Sequence, residues 1–326
     1  MIAAFLIILL VNGSVGILLV PSGRIRDTFV IAAAQDSPTV TVHFIDVGQG
    51  DSILIDAPDK DVLIDGGPTV AGPTVLNHLS STGVTHVHLM VATHVHEDHL
   101  GGLVAVLSSA IIVDELIVNG QTSTSNTYTN FMNLAQGHTI TVAERGQTYV
   151  LTPTANLTVF NPIQPLQFTE ANDNSVVAKL QVGSTSFLFT GDAEANAEQS
   201  MLSNGLNLQS SVLKVGHHGS RTATTQSFLD NVAPSYAIIS AGQNNLYHHP
   251  HPETIQKLLT KGVTIYGTFH SGTIVASTDG TSITFQDNPQ PIPEFEPAIV
   301  SSIFMTATLI AVITRRRKYA IQRRRA

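Results

Sequence analysis

The chain is expected to adopt an α/β fold built on two sheets, and three observations lead there. Short runs rich in Val, Ile and Leu, bounded by Gly and Asp, recur as strands, and helix-length segments separate many of them. With 43% hydrophobic and 12% charged residues in 326 positions, the chain can bury a sizeable core. Cysteine and tryptophan are absent, which excludes disulfides, a thiolate metal site and a cysteine nucleophile.

Residues 1–35 open with an almost wholly apolar stretch, 1–20, and carry Ala32-Ala33-Ala34 further on. They read either as a signal peptide or as an N-terminal anchor. Strands follow at 40–46, 52–55 and 62–64, where residues alternate or run apolar between Gly- and Asp-rich turns. A helix over 70–82, a strand over 86–92 and a helix over 100–109 come next. Residues 122–130, rich in Ser, Thr and Asn, read as an exposed loop. Strands at 176–182 and 187–190 pair through Gly183-Ser184, followed by a helix carrying Glu194 and Glu198. Strands at 211–215 and 236–240 and a helix over 253–261 follow, and strands at 263–267, 272–276 and 281–286 are expected to complete a second sheet in a domain spanning 36–287. A proline-rich linker, 288–297, leads to an uncharged stretch, 298–314, expected as a transmembrane helix. Residues 315–326 form a basic tail, expected on the cytoplasmic side, which leaves the domain on the extracellular side of the cell membrane.

Chemistry concentrates in Thr93-His94-Val95-His96-Glu97-Asp98-His99, directly after the apolar run 89–92. His94 and His96 lie two apart, so an extended segment points both to one side, while Asp98 and His99 turn towards a second position. That pattern suits two adjacent divalent ions, zinc or alternatively manganese, held by imidazole and carboxylate. A lone histidine is more often a core or surface residue; four ligand-type side chains in one strand-to-helix turn argue against that reading. Charge bears on the substrate. Residues 36–297 hold seven basic and 23 acidic side chains, a net of −16, whereas general nucleic-acid binding relies on Lys and Arg neutralising phosphates.

The string His-x-His-x-Asp-His resembles the signature of the metallo-β-lactamase superfamily, and residues 44–52, with Asp46-Val47-Gly48-Gln49-Gly50-Asp51-Ser52, resemble its ComEC-like branch. That branch is the extracytoplasmic hydrolase domain attached to DNA-uptake channels. The resemblance implies an αββα sandwich, here with terminal apolar helices, and a metal-dependent hydrolase acting on a phosphodiester. It makes His94, His96, Asp98, His99, Asp192 and His217 the metal ligands, with Asp98 and His249 in catalysis. Asp192 bridges both metals, and Asp98, His99, Asp192 and His217 form the tighter site. Asp65 braces the metal loop, Asp46 and Asp51 line its floor as acceptors for the ligands, and His218 is a bracing residue or a substrate contact. Asn172 stands where many members carry a third first-metal histidine. Arg221 reads equally as a contact for an anionic substrate group or as a solvated surface residue. Pro293-Glu294-Phe295 resembles the PEF-type sorting signals of archaeal surface proteins. A small phosphodiester or cell-envelope component is the expected substrate, with DNA disfavoured by the acidic charge. The alternatives are a DNA-uptake nuclease and a non-catalytic, metal-stabilised surface module.

Overall fold

The structure is a computed structural model that describes residues 4–11, 14–21 and 39–292. Two units are distinguished, 1–37 and 38–326.

In the first unit, β1 (Ala4–Val11) and β2 (Ser14–Pro21) pair antiparallel, with Val11 opposite Ser14. The expected N-terminal apolar helix is therefore not what the described part of this segment forms. Its Val and Ile content favours strands, and Asn12-Gly13, between the two runs in sequence, is the dipeptide preferred by two-residue hairpin loops. The helix expected over 298–314, the basic tail 315–326 and the PEF segment lie outside the described residues, as does the second half of the linker. Among the described residues no helix is long and apolar enough to cross a membrane.

The second unit is an αββα sandwich. Its first sheet contains β3 (Val40–Phe44), β4 (Ile53–Asp56), β5 (Val62–Ile64), β6 (His86–Ala92), β7 (Ile112–Val118) and β8 (Thr139–Val142). Its second contains β9 (Thr148–Thr152), β10 (Ala155–Asn161), β11 (Val177–Val182), β12 (Thr185–Phe189), β13 (Val212–Lys214), β14 (Tyr236–Ile239) and β15 (Thr264–Gly267). The chain then returns through β16 (Ile274–Thr278) and β17 (Ile283–Phe285) to the first sheet, whose order is β17-β16-β3-β4-β5-β6-β7-β8; these last two strands, expected in the second sheet, instead extend the first from the free edge of β3. The second sheet runs β15-β14-β13-β12-β11-β10-β9.

Alternation along the strands builds the layers. On β3, Val40, Val42 and Phe44 face the second sheet and pack with Leu180, Phe187 and Phe189. Leu54, Leu63, Met90 and Leu116 face the other way, onto α1 (Gly72–Thr82), α2 (Glu97–Leu107) and α3 (Asn126–Leu134). Leu188, Leu213 and Ala237 face α4 (Ala195–Ser203), α5 (Gln226–Val232) and α6 (Pro252–Thr260) on the opposite side. Both sheets thus bury both faces, as strands covered by helices do.

Two local expectations change. The segment expected as a loop, 122–130, holds the first half of α3, because Ser125 is a helix cap: its hydroxyl accepts from the Tyr128 N–H at 3.2 Å, and Phe131 is buried against the sheet. Helix α2 starts at Glu97 rather than at residue 100, with His96 at its N-cap position, so Asp98 and His99 sit in its first turn.

Candidate metal centre

The centre lies where parallel strands of both sheets end. At the end of β5, Asp65 takes a left-handed backbone (φ 58°) and is fully buried. Its Oδ1 accepts from the Thr93 N–H at 2.8 Å, and its Oδ2 accepts from the Thr93 hydroxyl and the His99 Nδ1–H, both at 2.7 Å. The loop after β6 is thereby pinned, and His99 is held with Nε2 facing away from Asp65. Helix α2 also rests on the Asp65-Gly66-Gly67 turn, because a Cβ on Gly102 would collide with the Gly66 carbonyl. Backbone bonds run from Gly66 N–H to His99 O at 2.8 Å and from Gly102 N–H to Gly67 O at 3.0 Å.

The second sheet supplies Asp192 after β12 and the His217-His218 pair after β13. Both histidines occupy left-handed backbone (φ 46° and 54°), an arrangement uncommon outside glycine and costly enough to cluster at functional sites. Asp192 is buried between the sheets' contributions. Its Oδ1 lies 3.3 Å from His99 Nε2 and 3.4 Å from His218 Nε2. Its Oδ2 lies 3.8 Å from His94 Nε2 and 3.7 Å from His217 Nε2. His94 Nε2 is 3.0 Å from His96 Nδ1, and His218 Nε2 is 3.5 Å from Asp98 Oδ2.

Several of these atoms are buried without a hydrogen-bond partner, among them His99 Nε2, His218 Nε2 and Asp192 Oδ1. Polar atoms withdrawn from water and converging unpaired are costly, and a divalent ion bound among imidazole and carboxylate donors satisfies them together. The residues present therefore fit the metal that the sequence motif implies.

Electrostatics support the same reading. Burial alone would neutralise Asp192, but the rings of His218 and His99 outweigh it and hold the carboxyl well below its ordinary range. Asp98 is likewise kept ionised against burial, by the neighbouring rings of His218 and His99. Burial depresses the His99 and His218 rings, yet Asp192, with Asp65 for His99 and Asp51 for His218, lifts both well above the ordinary imidazole value. His94 goes the other way, lowered first by burial and then by His99.

Other expected residues fall in varied places. Asp51 is buried, reaches His218 Nδ1 at 3.4 Å and pairs with Lys214. Asp46 does not brace a ligand; its Oδ1 accepts from the Gly48 N–H at 3.1 Å and shapes its own turn. Of the two adjacent histidines, it is His218, buried at 1% exposure, that meets Asp98 and shares Asp192 Oδ1 with His99. The grouping expected for His217 is thus formed by its neighbour, since the left-handed backbone sends the two rings in different directions. His217 donates Nδ1–H to Glu194 Oε1 at 2.7 Å. Asn172 lies beside it, with Nδ2 3.4 Å from Glu194 Oε1. His249 lines the cleft, and burial followed by the charges of His217 and His218 lowers its pKa to about 4. Arg221 is not brought to the cleft: it is exposed and lies 3.6 Å from Glu253.

Sequence reasoning missed Lys214 and the role of Glu194. A lysine within the apolar run 212–215 is a signal that a buried acid awaits it. A second cluster, His86, His88 and Asp114, lies at the start of β6. There the His88 Nδ1 accepts from the Asp61 N–H at 3.0 Å, so in the neutral ring the other nitrogen carries the proton and is no metal donor.

The cleft above Asp192 has a volume of about 710 Å³ and is lined by Val47, Val70, His96, Asp98, His217 and Tyr247 among others, with no Lys or Arg in its wall. A profile of the Metallo-beta-lactamase superfamily matches residues 45–243. ComE operon protein 3 of Bacillus subtilis (strain 168) is 32% identical over 253 residues, which cover 72% of this chain and 32% of that protein. Competence protein ComA of Neisseria gonorrhoeae is 29% identical over 247 residues, covering 74% of this chain and 33% of the relative. Recombination protein 2 of Haemophilus influenzae is 30% identical over 241 residues, covering 71% and 28%. The chain spans about a third of the length of these curated relatives. With an αββα sandwich, a His-x-His-x-Asp-His turn and an aspartate shared by imidazoles from both sheets, the chain belongs to the metallo-β-lactamase superfamily, in its ComEC-like branch.

Proposed function

We propose that the protein is a two-metal phosphodiesterase acting on a small substrate. The observation that carries this reading is the Asp192 carboxylate, whose two oxygens face separate sets of imidazoles at the floor of a cleft that no Lys or Arg lines among the described residues. His99, His218, Asp98 and Asp192 would hold one ion, and His94, His96 and Asp192 the other. When bound, a pair of divalent ions supplies Lewis acidity and a water acidified to near neutral pH.

The chain's own residues do the rest. Asp98, ionised and partly open to the cleft, accepts hydrogen bonds and orients a nucleophile. His249, kept neutral at physiological pH, donates a hydrogen bond to the substrate rather than adding charge. The name of the Neisseria gonorrhoeae relative associates it with competence, and DNA is the large substrate that association suggests. Against it stands the net charge of −16 over residues 36–297, which leaves no cationic track for a long polyanion. A small phosphodiester needs only the metals and a few polar contacts. The apolar run 298–314 and basic tail 315–326 support tethering at the cell membrane with the domain outside.

The test is hydrolysis of bis(4-nitrophenyl) phosphate by the purified full chain with zinc or manganese, beside lactam, thioester and long-DNA substrates. Turnover of the phosphodiester, lost in His96→Ala and Asp192→Ala, supports the reading. Turnover of the lactam or thioester alone, or efficient cleavage of long DNA at physiological salt, contradicts it.

A further inference from the structure

Asp192 divides the surrounding imidazoles evenly. Its Oδ1 is approached by His99 and His218, and its Oδ2 by His94 at 3.8 Å and His217 at 3.7 Å. We propose that His217 is a ligand of the first metal, completing a set of four with His94, His96 and Asp192, and that Glu194 is the positioning residue that makes it one. The proposal rests on the two-metal reading and adds to it the donor that Asn172 leaves unprovided.

Spacing is the first argument. Donors ~2.0–2.2 Å from a tetrahedral zinc lie about 3.3–3.6 Å from one another. Two of the contacts to Asp192 Oδ2, from His94 Nε2 at 3.8 Å and His217 Nε2 at 3.7 Å, lie just above that value, and His94 Nε2 to His96 Nδ1, at 3.0 Å, lies just below it.

Tautomer is the second. His217 gives its Nδ1 proton to Glu194 Oε1 at 2.7 Å, so the lone pair of the neutral ring sits on Nε2, the atom turned towards Asp192. The same Glu194 oxygen is held by the Thr222 hydroxyl at 2.8 Å and by Asn172 Nδ2 at 3.4 Å. A carboxylate behind a histidine, itself fixed by further donors, is the arrangement that orients metal-binding imidazoles. Asn172 thus acts on the carboxylate behind the histidine.

The backbone is the third. His217 and His218 are consecutive residues in left-handed conformation, and their rings lie 6.0 Å apart at an interplanar angle of 69°. An ordinary extended or helical pair would not deliver neighbouring rings to opposite oxygens of one carboxylate.

The experiment is metal titration of the full chain. Cobalt(II) or zinc is added to metal-free protein, and both bound equivalents and the cobalt d–d absorption are read, with circular dichroism as the check on folding. Wild type should bind two equivalents. His217→Gly, which suits the left-handed backbone, should bind one, and Glu194→Gln should bind the first-site ion 10–100-fold more weakly. Two equivalents at wild-type affinity in His217→Gly overturn the proposal, as does unchanged first-site affinity in Glu194→Gln. Should His217→Gly fail to fold, Glu194→Gln decides alone. A wild-type chain that binds no metal removes the two-metal reading itself, which keeps the two failures distinct.

Discussion

Lys214 is paired with Asp51 out of reach of solvent, and Asp51 in turn lies 3.4 Å from the ring of His218. The lysine also donates to the Gly191 carbonyl at 3.1 Å, just before Asp192. One cation therefore ties together the two loops that bring the second sheet's ligands. Burial by itself would raise the Asp51 carboxyl; the Lys214 and His218 charges reverse that and lower it.

Removing one partner of such a pair leaves an uncompensated charge inside the protein. Lys214→Met is expected to cost about 3–5 kcal/mol in denaturant unfolding. Adding Asp51→Leu to it should recover part of the loss. A change below about 1 kcal/mol in the single variant, within the range of exposed pairs, would show that the pair does not hold these loops.

A second expectation concerns Asp65, which accepts three hydrogen bonds from Thr93 and His99. In Asp65→Asn the amide cannot serve as acceptor at both positions, and the His99 ring loses the partner that fixes its tautomer. Zinc affinity, read by competition with a chromophoric chelator, should fall 10–100-fold while the secondary structure is retained. Wild-type affinity would mean that the loop is held by the glycine contacts alone.

What was legible in the chain tracks how local each feature is. His94, His96, Asp98 and His99 could be read because one strand-to-helix turn carries all four. Asp192 and the His217-His218 pair required a resemblance, since nothing local shows that strands from the other sheet end beside them. Which of the two adjacent histidines meets Asp98 depends on two left-handed residues, and no side-chain pattern announces those in advance. Helix α3 was hidden because a serine that caps a helix and a serine in a loop look alike until Phe131 is seen buried. Glu194 was visible only as the start of a helix; its meaning comes from a contact 23 residues away in sequence.

The third expectation is a dependence of stability on pH. His43 is buried with Nδ1 3.1 Å from His78 Nε2, and burial followed by the charge of His78 lowers its pKa from 6.5 to about 4. Between those values the unfolded chain binds a proton that the folded chain refuses. The contribution is therefore complete above about pH 6.5 and is lost as the pH falls towards about 4, amounting to roughly 3 kcal/mol at most. The quantity to measure is the difference between wild type and His43→Leu at saturating metal. The variant should show the shallower fall between pH 6.5 and 4. Parallel curves for the two proteins would assign the slope to other groups.

The return of β16 to pair with β3 has a consequence for how the molecule is made. Val40–Phe44 leave the ribosome well before residues 274–278, the strand that covers their free edge. Through that interval an apolar strand edge stands unpaired, the kind of surface on which partly made chains stick to one another. Halving the chain between the sheets would separate β3 from β16 as well as His94 from Asp192. Neither half is an independent heir to the chemistry, and a nascent chain gains its metal-binding set only once strands of both sheets have been made.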